Sequence, residues 1–276
     1  MRLGISSYTF TWAVGVPGNQ PEQKLDAVGL INKAVALNVS CVQIADNLTL
    51  HTLSTDQLDE LALHASRTGV AIEVGMRGLS VENINTYLDI AEKLKSPILR
   101  AVVDAPDYQP DKGEIIATIK DFIPELKKRN IILAIENHDR FKAREFAEIV
   151  DGVGSEWVGI CLDSVNSMGA GEGIETVVDV LGPLTVNLHI KDFIVERVYH
   201  MMGFTIEGKP AGLGMLPIEE ILHKLSGYQR CKSAILELWT PPENELTQTI
   251  AKEYKWASES IAYLRGLPYL HLRAQL

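Results

Sequence analysis

Eight short apolar runs, rich in β-branched residues, recur along the chain: LGISSY (3–8), CVQIA (41–45), AIEVG (71–75), ILRAVV (98–103), IILAIE (131–136), VGICLD (158–163), LTVNLH (184–189) and SAILEL (233–238). They are near-continuous rather than alternating, the pattern of strands covered on both faces. Between them lie stretches whose apolar residues return every three or four positions, among them LDAVGLINKAVAL, TDQLDELALHAS, VENINTYLDIAEKL, GEIIATIKDFIPELKKR, IETVVDVLG and, after the last run, LTQTIAKEYKWASESIAYL. These predict amphipathic helices. Strand followed by helix, eight times over, predicts an α/β fold with a parallel sheet. Eight units suit a closed (β/α)8 TIM barrel better than an open doubly wound sheet. No glycine-rich dinucleotide fingerprint follows the first run, which weakens the open-sheet alternative. With no Pro-, Ser- or Gly-rich linker, residues 1–276 are read as one barrel domain.

Two connections are long: SSYTFTWAVGVPGNQPEQ after the first strand, and KDFIVERVYHMMGFTIEGKPAGLGMLP after the seventh. In a barrel both open onto the C-terminal mouth, where reacting groups gather. The second contains a long loop over 193–216, whose glycines around Pro210 suit a shaped or hinged lid.

Charged residues mark the ends of the later strands. Strand five ends in Glu136, strand six in Asp163, strand seven in His189 and strand eight in Glu237. Each alone has an ordinary explanation as an ion pair or a hydrogen-bonded core residue. Together, three carboxylates converging on one barrel mouth repel each other and resist desolvation unless a cation neutralises them. A divalent metal does this economically. Three hard oxygens and one imidazole suit Mn²⁺, Mg²⁺ or Co²⁺, and leave positions open for two substrate oxygens.

The motifs AIEN, CLDSVN, LHIKD and LELW, in that order at the ends of strands five to eight, resemble the xylose-isomerase-like barrel family of sugar phosphate isomerases and epimerases. The resemblance spans almost the whole chain. It implies that Glu136, Asp163, His189 and Glu237 are the metal ligands, with Lys191 aimed the same way as His189 and Asp192 free to hold a neighbouring loop. Where related ketose epimerases carry a histidine, this chain has Asn166. With GISSYTFTWAVGVPG, QIADN and the segment ERVYHMMGFTIEGKPAGLG, that departure is similar to the 3-oxo-isoapionate decarboxylase branch of the family.

Composition narrows the substrate class. There are 36 acidic and 26 basic residues, a formal charge of −10, which argues against nucleic acid and anionic membranes as partners. Yet the expected mouth carries Arg77, Arg100, His138, Arg140, Lys191, Arg197 and His200, a local excess of cations that points to an anionic ligand. Of these, Arg77, Arg100, His138, Arg197 and His200, together with Trp12 and Asn166, are the candidate substrate contacts. Tyr8, Phe10, Phe204 and Trp239 are candidate apolar walls. Cys41, Cys161 and Cys231 sit in apolar runs without CxxC spacing, as reduced, packed thiols do. With no signal peptide or membrane span evident, the expected location is cytoplasmic, and a homo-oligomer is compatible.

A divalent ion beside a keto oxygen and an adjacent hydroxyl makes an enediolate accessible. Loss of CO₂ from a 3-oxo sugar acid is the preferred reaction, since its first step needs no general base. Isomerisation or epimerisation, with Glu136 and Glu237 as opposed bases and Lys191 beside them, is the alternative. Dehydration and a non-catalytic sugar-binding barrel stand behind it. The substrate on either reading is a small anionic or neutral keto-sugar.

Overall fold

A computed structural model describes residues 1–271; the last five residues of the range assigned to the barrel lie outside the described part. Eight parallel strands close into a barrel: β1 (Arg2–Ser6), β2 (Cys41–Ile44), β3 (Ala71–Arg77), β4 (Ile98–Val102), β5 (Ile132–Glu136), β6 (Val158–Asp163), β7 (Thr185–Ile190) and, after an inserted hairpin formed by β8 (Asp192–Arg197) and β9 (Phe204–Lys209), β10 (Ser233–Leu236). Each sequence-predicted strand is present, and the ring is closed by β1 pairing with both β2 and β10.

The helices form because their apolar faces have a barrel wall to cover and their ends are capped. Ser54 caps the helix Thr55–Thr68 in a reciprocal box with Gln57, and Gly69 ends it in the left-handed conformation. Asp111 and Glu114 do the same for Lys112–Arg129. Helices also fill Ala143–Val153 and Ile218–Tyr228, where the periodic stretches named above left gaps. The main core lies between wall and helices, with Leu3, Ile5, Val42, Val74, Leu99 and Leu133 packed with Leu61, Ile84, Ile119, Phe146 and Ile261.

The barrel interior is different: beside a small apolar cluster of Ile98, Ala134, Cys161 and Val186, small and polar residues occupy it. Gly4 lies against Cys41 and Ile235, so closely that a Cβ would collide with all three contacting atoms, and Gly75 makes room for the stem of Arg100. Between β6 and β7 the register slips: Ile160 faces Thr185 while Cys161 faces Asn187. An irregularity of this kind re-aims side chains, and here it lies one turn of the pleat below Asp163 and His189.

Two expectations change. Strand one stops at Ser6, not Tyr8, because Ser6 caps a tight turn over Ser7–Phe10 through the Tyr8 N–H, while its own N–H is taken by the Thr9 hydroxyl. The segment 193–216, expected as a loop, is largely an antiparallel hairpin, with Asp192 opposite Lys209 and Arg197 opposite Phe204. Its β-branched residues Ile194, Val195, Thr205 and Ile206 favour strands, and the reversal between them is made by Met201 and Gly203 at positive φ. The base of the hairpin is fixed. Asp192 accepts N–H bonds from Phe193, Gly212, Gly214 and Leu216 at 2.8–3.0 Å. The far end is exposed, Tyr199 at 96% and Met202 at 85%.

Gly208 is the point where the hairpin meets the barrel mouth, and a Cβ there would overlap the Trp239 carbonyl oxygen. Backbone cannot yield as a side-chain tip can. Gly208→Ala is therefore expected to lift the hairpin, at a cost of about 1–3 kcal/mol. Hydrogen exchange of residues 193–209 should quicken while exchange of β4 to β6 stays slow; unchanged exchange in the hairpin would show that this contact does not hold it.

Candidate metal centre

Glu136, Asp163 and His189 end or nearly end β5, β6 and β7, and Glu237 follows β10 by one residue, so parallel strands deliver all four to one mouth. All four are buried. His189 Nδ1 lies 3.4 Å from Glu136 Oε2, 3.6 Å from Asp163 Oδ2 and 3.5 Å from Glu237 Oε1. Ligand atoms of Asp163, His189 and Glu237 lie within 4.8 Å of one another; Glu136 meets His189 and Cys161 in an overlapping group of the same span.

The remaining atoms of the four residues are held by the protein. Asp163 Oδ1 accepts the backbone N–H groups of Val165 and Asn166 at 2.9 and 2.8 Å. Glu136 Oε1 accepts Asn166 Nδ2 at 2.9 Å, and Glu136 Oε2 accepts Arg100 Nε. Lys191 Nζ stands 2.8 Å from Asp163 Oδ2 and 3.0 Å from Glu237 Oε2. His189 Nε2 meets Gln43 Oε1 at 2.7 Å. What remains is telling: Asp163 Oδ2 has only the Lys191 ammonium as its partner, and His189 Nδ1 and Glu237 Oε1 are buried with no hydrogen-bond partner. These three atoms face one another and fit a cation, because leaving a buried polar atom unsatisfied costs about 1–3 kcal/mol or more.

The electrostatics agree with that fit. Burial works against a charged Asp163, yet Lys191 and His189 hold its carboxyl well below the usual range. Burial likewise opposes a charged Lys191, and the carboxylates of Asp163, Glu237 and Glu136 overcome it, raising the ammonium far above its ordinary value. Lys191 thus compensates part of the negative charge and remains charged at any physiological pH.

Beside this cluster is a cavity of about 450 Å³, lined in part by Tyr8, Trp12, Asn166, Lys191, Ile206 and Trp239. Trp12, Asn166 and Lys191 thus line one cavity. The other candidate contacts are placed elsewhere. Arg100 is buried, its guanidinium shared between Glu136 and Asp46. Arg77 pairs with Asp46 at 2.8 Å and lines a separate cavity with His51 and Tyr108. His138 sits beside Asp139 at 3.3 Å, and Arg140 is paired with Asp104. Arg197 lies over the Phe204 ring on the exposed hairpin, and His200 is in the turn beyond it. None of these lines the cavity, where Lys191 is the cation among the lining residues. The cationic excess read from the sequence is spent largely on ion pairs.

The Asp46 carboxylate gathers Arg77, Arg100 and the Tyr8 hydroxyl, a role that no local pattern announces. Gln43, Glu73 and Asn187 are polar residues in the middle of apolar strands, and that position is the signal that marks them. Glu253 is a further functional residue outside the sequence-predicted set. It accepts the N–H groups of Trp12 and Ala13 at 3.0 and 3.1 Å, and so fixes the turn that carries Trp12 to the cavity.

A family model described as xylose isomerase-like TIM barrel matches residues 31–267. The chain belongs to the xylose isomerase-like TIM barrel family. The 3-oxo-isoapionate decarboxylase of Pectobacterium atrosepticum is 29% identical to it over 264 residues, covering 96% of this chain and 95% of that protein. Among solved structures, D-psicose 3-epimerase in the presence of D-fructose is similar in fold, with a TM-score of 0.72 at 17% identity, covering 96% of this chain and 98% of its own. A xylose isomerase-like TIM barrel protein from Mycobacterium smegmatis, in complex with magnesium, has a TM-score of 0.68 at 14% identity over 95% and 97% of the two chains. Among the described residues no helix is long and apolar enough to cross a membrane.

The Glu253 contact yields a pH dependence. Burial pushes its carboxyl up from 4.5 to about 8, with the N–H groups of Trp12 and Ala13 holding it back. A raised carboxyl pKa means that the folded chain keeps a proton the unfolded chain has lost. The resulting stabilisation is complete below the unfolded value and fades as pH rises through about 8. Glu253→Gln should therefore gain stability relative to the unsubstituted protein, by a few kcal/mol, on going from about pH 5 to about pH 9 in urea unfolding. A difference that stays constant over that range would contradict it.

Proposed function

We propose that the protein is a divalent-metal-dependent enzyme of sugar-acid catabolism that decarboxylates a 3-oxo sugar acid of the 3-oxo-isoapionate type. Asp163, His189 and Glu237 would hold the ion, and Glu136 would complete the set from the Arg100 side. Mn²⁺, Mg²⁺ and Co²⁺ suit this donor set. Such an ion, when bound, supplies the positive charge that stabilises the enediolate oxygens developing as CO₂ departs.

The chain's own residues do the rest. Trp12 and Trp239 wall the cavity, and Lys191, held between Asp163 and Glu237, presents an ammonium to a substrate carboxylate. The bond from the carboxylate carbon to its neighbour breaks, its electron pair passes toward the 3-keto oxygen, and a proton then returns to the carbon that lost CO₂. Lys191 must orient the carboxylate without binding it too firmly, since ground-state pairing alone deepens the well instead of lowering the barrier. Its two carboxylate partners serve that balance by sharing its charge.

The observation that carries decarboxylation over proton abstraction is Glu136, both of whose oxygens already accept a hydrogen bond, from Asn166 and from Arg100. A carboxylate so engaged is a poor base, and loss of CO₂ requires none. The full-length similarity to a 3-oxo-isoapionate decarboxylase supports the same reading. Epimerisation or isomerisation of a neutral keto-sugar is the second reading. It is favoured by the fold shared with D-psicose 3-epimerase.

The two are separated by product analysis. With a 3-oxo sugar acid in D₂O, the Mn²⁺-loaded protein is expected to release CO₂ and leave one deuterium at the carbon that carried it, as read by NMR. Asp163→Asn should lose ion and turnover together, and Lys191→Met should weaken acid substrates far more than neutral ketoses. Interconversion of neutral ketoses without CO₂ from any 3-oxo acid would establish the isomerase or epimerase reading.

A further inference from the structure

Below the candidate metal centre, the barrel interior holds a chain of polar side chains that the reaction does not touch. Gln43 of β2 reaches across the interior to His189 and Asn187 of β7, three strands away round the ring. Glu73 of β3 lies below both. Its Oε2 accepts Gln43 Nε2 at 3.2 Å and Asn187 Nδ2 at 3.0 Å. Asn187 Nδ2 also donates to Ser233 Oγ at 2.7 Å, and Asn187 Oδ1 accepts Gln43 Nε2 at 3.1 Å and the Cys161 thiol at 2.9 Å. Glu73, Gln43, Asn187 and His189 are all buried, so each misplaced donor or acceptor carries a penalty that water cannot relieve.

The chain has one consistent direction. A carboxylate oxygen that accepts two amide N–H groups fixes which end of each amide is nitrogen. For Gln43 the nitrogen faces Glu73, and the oxygen is then the atom 2.7 Å from His189 Nε2. An amide oxygen only accepts, so Nε2 must carry the imidazole proton. In the neutral ring that leaves Nδ1 as a bare lone pair, and Nδ1 is the atom facing Glu136, Asp163 and Glu237. The other tautomer sets two lone pairs against each other at 2.7 Å, and the Cys161 thiol, 3.2 Å from Nε2, gives its hydrogen to Asn187 Oδ1.

We propose that Gln43, anchored by Glu73 and Asn187, is a positioning residue that fixes the Nε2–H tautomer of His189 and so prepares Nδ1 to bind the divalent ion. This rests on the reading that His189 is a metal ligand. Gln43 touches neither substrate nor ion, and acts only through His189. Partners of this kind, which hold a ligating imidazole by its other nitrogen, affect metal affinity by about tenfold to a hundredfold. Glu73 matters for a second reason: it is the one member of the chain whose accepting role sets the orientation of both amides.

The test uses the metal-free protein and Mn²⁺. Long-range ¹⁵N–¹H spectra of the unsubstituted protein should show His189 protonated at Nε2, whether or not the facing carboxylates also keep a proton on Nδ1; a ring protonated at Nδ1 and bare at Nε2 overturns the proposal without any variant. In calorimetric titration with Mn²⁺, Gln43→Met and Glu73→Gln should each bind about tenfold to a hundredfold more weakly. The combined swap, Gln43→Glu with Glu73→Gln, puts a carboxylate directly on Nε2–H and returns an amide to its support. Its affinity should recover to that of the unsubstituted protein or better. Single variants that bind as tightly as the unsubstituted protein, or a swap as weak as the singles, overturn the relay and leave the metal reading standing. Absence of Mn²⁺ binding by the unsubstituted protein removes the metal reading, and the relay falls with it.

Discussion

Three carboxylates buried around one imidazole nitrogen constrain everything near the barrel mouth. Glu136, Asp163 and Glu237 are inaccessible to water, and each places an oxygen 3.4–3.6 Å from His189 Nδ1. Such a cluster is unstable unless its charge is met. The protein meets part of it with Arg100 on Glu136, and with Lys191 between Asp163 and Glu237. Arg100 in turn needs Asp46, and Asp46 collects Arg77 and the Tyr8 hydroxyl. The polar interior of the barrel is the continuation of one problem, the neutralisation of charge where the medium does not help. Small residues such as Gly75 are present because the long side chains that solve it need room.

The same constraint sets the chemistry. Lys191 and Arg100 satisfy some oxygens, Asp163 Oδ2 among them, and leave His189 Nδ1 and Glu237 Oε1 without hydrogen-bond partners, all three atoms turned toward a common point. Folding energy has been invested in keeping Asp163 and His189 there, through the N–H groups of Val165 and Asn166 and through Gln43. Preorganised groups of this kind are worth most where charge develops during reaction. The cavity beside them combines indole walls with the Lys191 ammonium and the Asp139 carboxylate.

The barrel was legible in the sequence because its signals are local. Near-continuous apolar strands alternate with amphipathic helices, and both report burial directly. The four charged strand ends were legible for a related reason: a parallel barrel gives every strand end the same destination, so position in the strand implies convergence. The cations were harder. Arg77, Arg100 and Arg140 are near the mouth, but whether a guanidinium faces substrate or a carboxylate depends on partners, such as Asp46 and Asp104, far away in sequence. The hairpin at 192–209 is hard to recognise in the sequence because glycines near its ends mask two short β-branched segments. Glu253 lies 241 residues from the Trp12 N–H that it accepts, and nothing local in the final helix announces that contact.

The proposed site for one divalent cation is the space that Asp163 Oδ2, His189 Nδ1 and Glu237 Oε1 face. Anomalous diffraction from crystals grown with Mn²⁺, recorded at the manganese edge, tests it most directly. One peak is expected among these three residues, within bonding distance of His189 Nδ1, with Lys191 Nζ displaced toward the cavity. Manganese located elsewhere, or no peak while Lys191 remains between Asp163 and Glu237, would show that the lysine is the cluster's own counter-ion and would contradict the account.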